Sequence, residues 1–260
     1  MNGHLITTIL AGAAALCYLL AGGLGLRLSS QKPANLCWGA AWVLNLAILA
    51  IAWAAAGEPP FASIWQVLTV LAACFGPLCL FLEKRYGLTG IRPVFRMGAA
   101  IPLIGTLFME KELVWQKAPA LQSVWFVPHV FAYMVAYSLT VAAFLFCCQQ
   151  LWLGWRGKEK DNDAVIYTIS RTAFPFFTFG MLSGAIWAED AWGVYWSWDI
   201  KETWALITWM LLLLYFHLRA QPSLKKWALP AQVCAFVSLT VTFLGVSYLP
   251  MLAGGLHSYL

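Results

Sequence analysis

Long apolar stretches run the length of the chain, separated by short breaks of charged, glycine or proline residues. They fall at 5–28, 36–56, 64–82, 94–108, 125–153, 173–187, 203–218 and 229–249. These runs are far too long for the roughly ten-residue alternating strands of a membrane barrel. In lipid each backbone N–H and C=O must be bonded within its own segment, so the runs predict helices. The expected fold class is all-α, a polytopic membrane helical bundle of about eight transmembrane helices. The fourth and sixth runs are short, and the fourth contains Pro102.

Charge decides whether the fourth run crosses. If all eight do, thirteen of the sixteen Lys and Arg residues lie on one face, and only Lys111, Lys117 and Lys201 lie on the other. The positive-inside rule makes the crowded face cytoplasmic and puts both termini on the outer, periplasmic side. Removing the fourth span would carry Arg156, Lys158 and Arg219 away from Lys84, Arg85 and Arg92, and the asymmetry would collapse. The first run lacks a basic leader, so it is expected to be a retained span rather than a cleaved signal.

Composition agrees with this picture: 62% of residues are hydrophobic and 10% charged. No repeat, low-complexity segment or soluble domain interrupts the pattern, so residues 1–260 are expected to form a single integral-membrane domain in contact with lipid. The net charge of +5 belongs to topology, and no nucleic-acid partner is implied. The seven cysteines sit in or at the ends of apolar runs without Cys-x-x-Cys spacing, which suits packing better than thiol chemistry.

Against this background the outer segment 192–209 stands apart. Trp192, Gly193, Tyr195, Trp196, Trp198 and Asp199 are followed at once by Lys201, Glu202, Trp204 and Trp209. The topology brings two histidines to the same face: His129 at the outer start of the fifth run, and His257 after the last. His217 lies about sixteen residues into the seventh helix, roughly 24 Å toward the cytoplasm. An ionisable side chain there is a functional candidate, or else marks the cytoplasmic interface with Tyr215 and Arg219. Zinc would need three or four ligands with short-range spacing, which this chain lacks. A haem, with two axial imidazoles and a ring stacked on indoles, suits the outer residues better. An interfacial aromatic belt with two bystander histidines also accounts for them.

The segments 192–199 (WGVYWSWD) and 201–209 (KETWALITW) resemble the tryptophan-rich WWD signature of haem-handling cytochrome c assembly proteins of the CcsA (ResC) type. Segments 121–130, 214–219 and 255–259 resemble the stretches around that family's three histidines, and Pro60, Phe61, Ala62 and Ser63 resemble the start of its third span. The resemblance implies that His129 and His257 are axial iron ligands of an outer haem b. Trp192, Gly193, Tyr195, Trp196, Trp198 and Asp199 would form a shelf against its ring. It further implies that His217 ligates haem at a site within the membrane, together with a histidine from a CcsB (ResB) type partner. One departure is noted: where relatives often carry an acid after the Pro-Phe-Ala-Ser segment, this chain has Trp65 and Gln66.

The implied activity is System II cytochrome c biogenesis. Haem, bound as cargo, would be carried across or out of the membrane and presented for thioether attachment to the Cys-x-x-Cys-His segment of apocytochrome c. The chain would then be a haem lyase (holocytochrome c synthase) component, in the bacterial inner membrane or a thylakoid. No catalytic acid, base or nucleophile stands out. Lys201 and the shelf indoles are the outer candidates for the propionates, and Arg85, Arg92, Arg96 and Arg219 the inner ones. Two alternatives stay open: a haem exporter or chaperone without synthase activity, and an ion or solute transporter, which the scarcity of polar residues in the spans disfavours.

Overall fold

The computed structural model describes residues 2–111, 119–158 and 161–245. His257 and Lys117 lie outside the described residues. Eight α-helices and no strand occur among the described residues: α1 (Asn2–Arg27), α2 (Lys32–Ala56), α3 (Ile64–Tyr86), α4 (Arg92–Thr106), α5 (Phe126–Trp155), α6 (Asp163–Trp192), α7 (Ile200–Ala220) and α8 (Ala228–Thr240). α8 runs on into a π-turn over Val241–Gly245. Among the described residues six helical segments are long and apolar enough to cross a membrane, containing α1, α2, α3, α5, α7 and α8. The protein is a polytopic helical membrane protein.

The two runs that read as short differ in kind. α4 has 15 residues, about 22 Å at about 1.5 Å per residue, which falls short of the hydrocarbon core. α6 has 30 residues, and extends ten residues before its apolar stretch and five beyond it. Hydropathy falls off at Arg171 and Glu189, but intrahelical hydrogen bonding does not. α6 stops only at Gly193, whose φ of 75° is left-handed and whose N–H donates to the Glu189 carbonyl at 2.8 Å.

The chain divides into two compact units, 1–122 and 123–260. In the first, α1 packs on α2 and α4, and α3 packs on α4. Arg96 of α4 is fully buried. Its guanidinium donates to the Ala21 carbonyl (3.2 Å) and to Asn35 Oδ1 (2.5 Å), and lies over the Trp38 ring at 5.1 Å. Arg92 forms an ion pair with Glu83 at 2.8 Å. Lys111 is buried where the chain leaves α4, donating through Nζ to the Thr106 carbonyl (2.5 Å) and to Thr8 Oγ1 (3.1 Å). Desolvation pushes its pKa below the usual lysine value.

The second unit is built on the α5·α6 and α7·α8 pairs, with α5 also meeting α8 and α6 meeting α7. The antiparallel order puts the start of α5, the end of α6 and the start of α7 at one end. The start of α6 and the end of α7 form the other. That second end is ionic. Asp163 accepts from Arg219 Nε (3.0 Å) and Nη2 (2.8 Å) and pairs with Lys225 at 3.0 Å. Arg219 also lies 4.0 Å above the Tyr167 ring. Beside it, the Asn162 amide donates to the Phe146 carbonyl (3.0 Å) and to Gln149 Oε1 (3.1 Å), fastening α6 to α5.

Candidate functional site

The tryptophan-rich segment is a tight turn between α6 and α7, held from the α7 side by two carboxylates. Asp199 caps α7: its Oδ1 accepts from the Glu202 N–H at 2.7 Å. Glu202 Oε2 reaches back and accepts from the N–H of Ser197 (2.8 Å), the hydroxyl of Ser197 (3.2 Å) and the N–H of Asp199 (3.2 Å). These bonds bracket Trp198, the one described non-glycine residue with a positive φ, at 60°. A left-handed backbone costs an L-residue roughly 1–2 kcal/mol and persists where its surroundings over-determine it. Here the over-determining group is the Glu202 carboxylate.

The turn presents its aromatic rings outward. Tyr195 and Trp198 are 61% and 68% exposed, so neither is core. Trp196 and Trp198 meet edge to face at 5.7 Å. The Trp196 indole N–H is buried with no hydrogen-bond acceptor, an uncommon state for a buried donor.

His129, in the first turn of α5, is held by α6. Its Nδ1 lies 2.8 Å from the Gly180 carbonyl. A carbonyl only accepts, so Nδ1 carries the proton and the lone pair sits on Nε2. The ring stacks on Trp187 (5.4 Å, 25°) and meets the edge of Tyr133 (5.0 Å, 89°). Trp187 is buried and touches Trp192 at 4.9 Å, so stacked rings connect His129 to the start of the tryptophan-rich segment. The structure therefore brings together His129, Trp187 and Trp192. Pro128 does not disturb this start, since a first-turn residue has no intrahelical acceptor to lose. The preceding loop is tied to the end of α6 by Ser123 Oγ donating to Asp190 Oδ2 at 2.8 Å.

His217 is not part of this cluster. It lies in the last turn of α7, exposed, with Nδ1 donating to the Leu213 carbonyl at 2.8 Å. Its lone pair too is on Nε2. His4 has the opposite arrangement, because its Nδ1 accepts from the Lys111 N–H at 3.2 Å, which leaves the proton on Nε2. Of the arginines that sequence offers as propionate partners, Arg92 and Arg219 are engaged by Glu83 and Asp163, and Arg96 by the backbone and amides of its own unit. A cavity of about 370 Å³ lies at the ionic end, lined by residues that include Asp163, Tyr215, Lys225 and Lys226. Among the described residues no group of three or more His, Cys, Asp or Glu is placed to hold a metal ion.

Sequence reasoning missed Gly180, Gly184 and Trp187 as neighbours of His129, and the role of Glu202. The last was detectable: Asp-x-x-Glu ahead of an apolar run is a capping pattern. The same device opens α3, where Gln66 Oε1 accepts from the N–H groups of Ala62 (3.0 Å) and Ser63 (3.2 Å). In this chain the acceptor there is an amide.

A family model described as cytochrome C assembly protein matches residues 10–253. The chain belongs to that family. Among curated relatives, it is 36% identical over 246 residues to the cytochrome c biogenesis protein CcsA of Chlamydomonas reinhardtii, covering 85% of this chain and 66% of that protein. It is 32% identical over 252 residues to the CcsA of Mesostigma viride, covering 82% and 81%. A cyanobacterial CcsA, from Prochlorococcus marinus, is 28% identical over 263 residues, covering 84% and 82%. Membership in this family places the chain in cytochrome c biogenesis and agrees with its membrane-spanning helices.

Proposed function

We propose that this chain binds haem as its cargo and presents it on the outer face of a bacterial inner or thylakoid membrane. There the two vinyl groups meet the cysteine thiols of an apocytochrome c Cys-x-x-Cys-His segment. The observation that carries this reading is the state of His129: an imidazole with its lone pair on Nε2, held against a column of indoles that leads into the Trp192–Trp198 turn. That combination offers an axial nitrogen and an apolar, planar surface together, which is what a haem needs of its host. The orphaned Trp196 N–H suits a propionate oxygen.

His257 is the second outer ligand in this reading. His217, exposed beside Met210 and Leu214 on α7, takes haem at an inner site, with the other imidazole supplied by a CcsB (ResB) type partner. Both termini and the tryptophan-rich turn lie on the outer side.

Thioether formation adds an S–H across a vinyl C=C: carbon takes the sulfur, the neighbouring carbon takes the proton, and no net oxidation occurs. The carboxylates around the turn are occupied as acceptors, Asp190 by Ser123 and Asp199 and Glu202 by backbone N–H groups. The acceleration then comes from fixing vinyl carbons beside thiols, which turns an encounter into an intramolecular step.

The test is co-expression of the full chain with and without a ResB-type partner and a Cys-x-x-Cys-His reporter, measuring bound haem and covalent cytochrome together. The proposed reading expects a red, bis-histidine protein and covalent product. Haem without product leaves the exporter or chaperone role, and a colourless protein overturns haem handling. His129→Gly is expected to lose haem and regain it when imidazole is supplied.

A further inference from the structure

Two glycines of α6 meet His129, Gly184 through the space its missing Cβ leaves and Gly180 through its carbonyl. We propose that Gly184 and Gly180 are positioning residues for His129. Gly184 leaves the volume that the ring occupies, and Gly180 offers its carbonyl to Nδ1–H, so that Nε2 is the nitrogen presented to iron. The inference rests on His129 being an iron ligand, and deepens that reading by naming the coordinating atom and what selects it.

Space comes first. A Cβ on Gly184 would stand 2.5 Å from both Cε1 and Nδ1 of His129, far inside contact distance. The ring cannot easily yield, because Trp187 lies against one face and the edge of Tyr133 against another side. A Cβ on Gly180 would meet that same Tyr133 ring at 3.2 Å. Gly22, Gly25 and Gly98 come equally close to the Met97, Arg96 and Phe75 side chains, so what sets Gly184 apart is that it faces an imidazole. Gly154, on the same helix as His129, has nothing within 4 Å of its Cβ position.

Hydrogen bonding comes second. The Gly180 carbonyl fixes the Nδ1–H tautomer at 2.8 Å, and Ser183 Oγ donates to the same oxygen at 3.2 Å. Gly180, Gly184 and Trp187 follow at i, i+4 and i+7, so one face of α6 supplies the acceptor, the empty volume and the stacking surface. Hydrogen bonds to the other ring nitrogen orient a ligating histidine and raise its basicity, and their loss typically lowers metal affinity about 10- to 100-fold. Gly98 faces the Phe75 ring and Gly76 the Trp42 ring in the same way, so it is the identity of the facing ring that matters. At Gly184 that ring is His129, so a displaced ring is read at the iron it would hold.

The experiment uses the full chain co-expressed with a ResB-type partner and purified in detergent, comparing wild type, Gly184→Ala, Gly154→Ala and His129→Gly. Gly184→Ala is expected to retain haem about tenfold less tightly, and the haem that remains should show an altered Soret band and a shifted reduction potential. Gly154→Ala should match wild type in all three. If Gly184→Ala matches wild type while His129→Gly loses haem, the positioning role is overturned and the ligand reading stands. If His129→Gly itself leaves haem content and spectrum unchanged, the ligand reading falls and takes this inference with it.

Should Gly184→Ala fail to accumulate, the tautomer decides. In haem-free wild-type protein carrying 15N-histidine, the His129 signal, identified by its absence from His129→Gly, should report a protonated Nδ1 and an unprotonated Nε2. A protonated Nε2 overturns the proposal.

Discussion

The two ends of the second unit are built from opposite chemistry. At one, His129, Trp187, Trp192, Trp196 and Trp198 meet through ring contacts, and the polar bonds that shape it run mainly to backbone N–H and C=O. At the other, about 36 Å away along α6, Asp163 binds Arg219 and Lys225, and Asn162 binds α5. The ionic end fastens three helices where the chain needs a basic anchor. The aromatic end gathers apolar surface, an indole N–H and the His129 imidazole in one place. The proposed haem would gain little from strong charges, which would need partners of their own, and among the described residues the ion pairs lie elsewhere.

That contrast can be broken, most severely at Glu202. Glu202→Ala removes three acceptor bonds around a left-handed Trp198, a loss on the order of 3 kcal/mol to the turn. Haem content and cytochrome yield should fall about tenfold or more while the ionic end is untouched. Glu202→Gln should retain most of both, since Gln66 performs the same task at α3. A Gln variant as poor as the Ala variant would mean that the charge, not the acceptor geometry, matters.

Asp163→Asn tests the other end. It leaves Arg219 without its two-pronged partner, and the expected cost is about 1–3 kcal/mol, read as a lower Tm in detergent. The spectrum of bound haem should not change, and a changed spectrum would show the two ends to be coupled.

Trp198→Gly separates shape from surface. Relief of the positive φ should raise stability by about 1 kcal/mol, yet loss of the indole should lower haem retention. A variant that is both more stable and fully loaded would remove Trp198 from the shelf. The smallest effect is expected for Arg219→Lys, which keeps the charge but loses the paired N–H geometry. A few tenths of a kcal/mol in stability and unchanged haem content should result, and a loss of haem would give Arg219 a role beyond anchoring.

Legibility in the sequence followed how local each feature is. The eight helices are visible because lipid imposes its demand on every segment separately, whatever its neighbours do. The aromatic cluster and the cap formed by Asp199 and Glu202 are visible because their residues are adjacent in the chain. Asp199, which the resemblance puts in the shelf, is also the N-cap that shapes the turn. The length of α6 was underestimated because hydropathy drops at Arg171 and Glu189 although the helix continues. By position His217 is either a functional candidate or a marker of the cytoplasmic interface, and only the structure shows it exposed in the last turn of α7.

The sequence by itself determined that this is an all-helical membrane protein with an aromatic turn and a histidine at the start of α5. Solvent and chain adjacency dictate those features one segment at a time. Only the tertiary structure decided which nitrogen of His129 carries the proton, that Gly184 makes room for its ring, and that Trp187 joins it to Trp192. Each of those depends on how α6 is turned and docked against α5, a property of two helices together that neither sequence stretch contains.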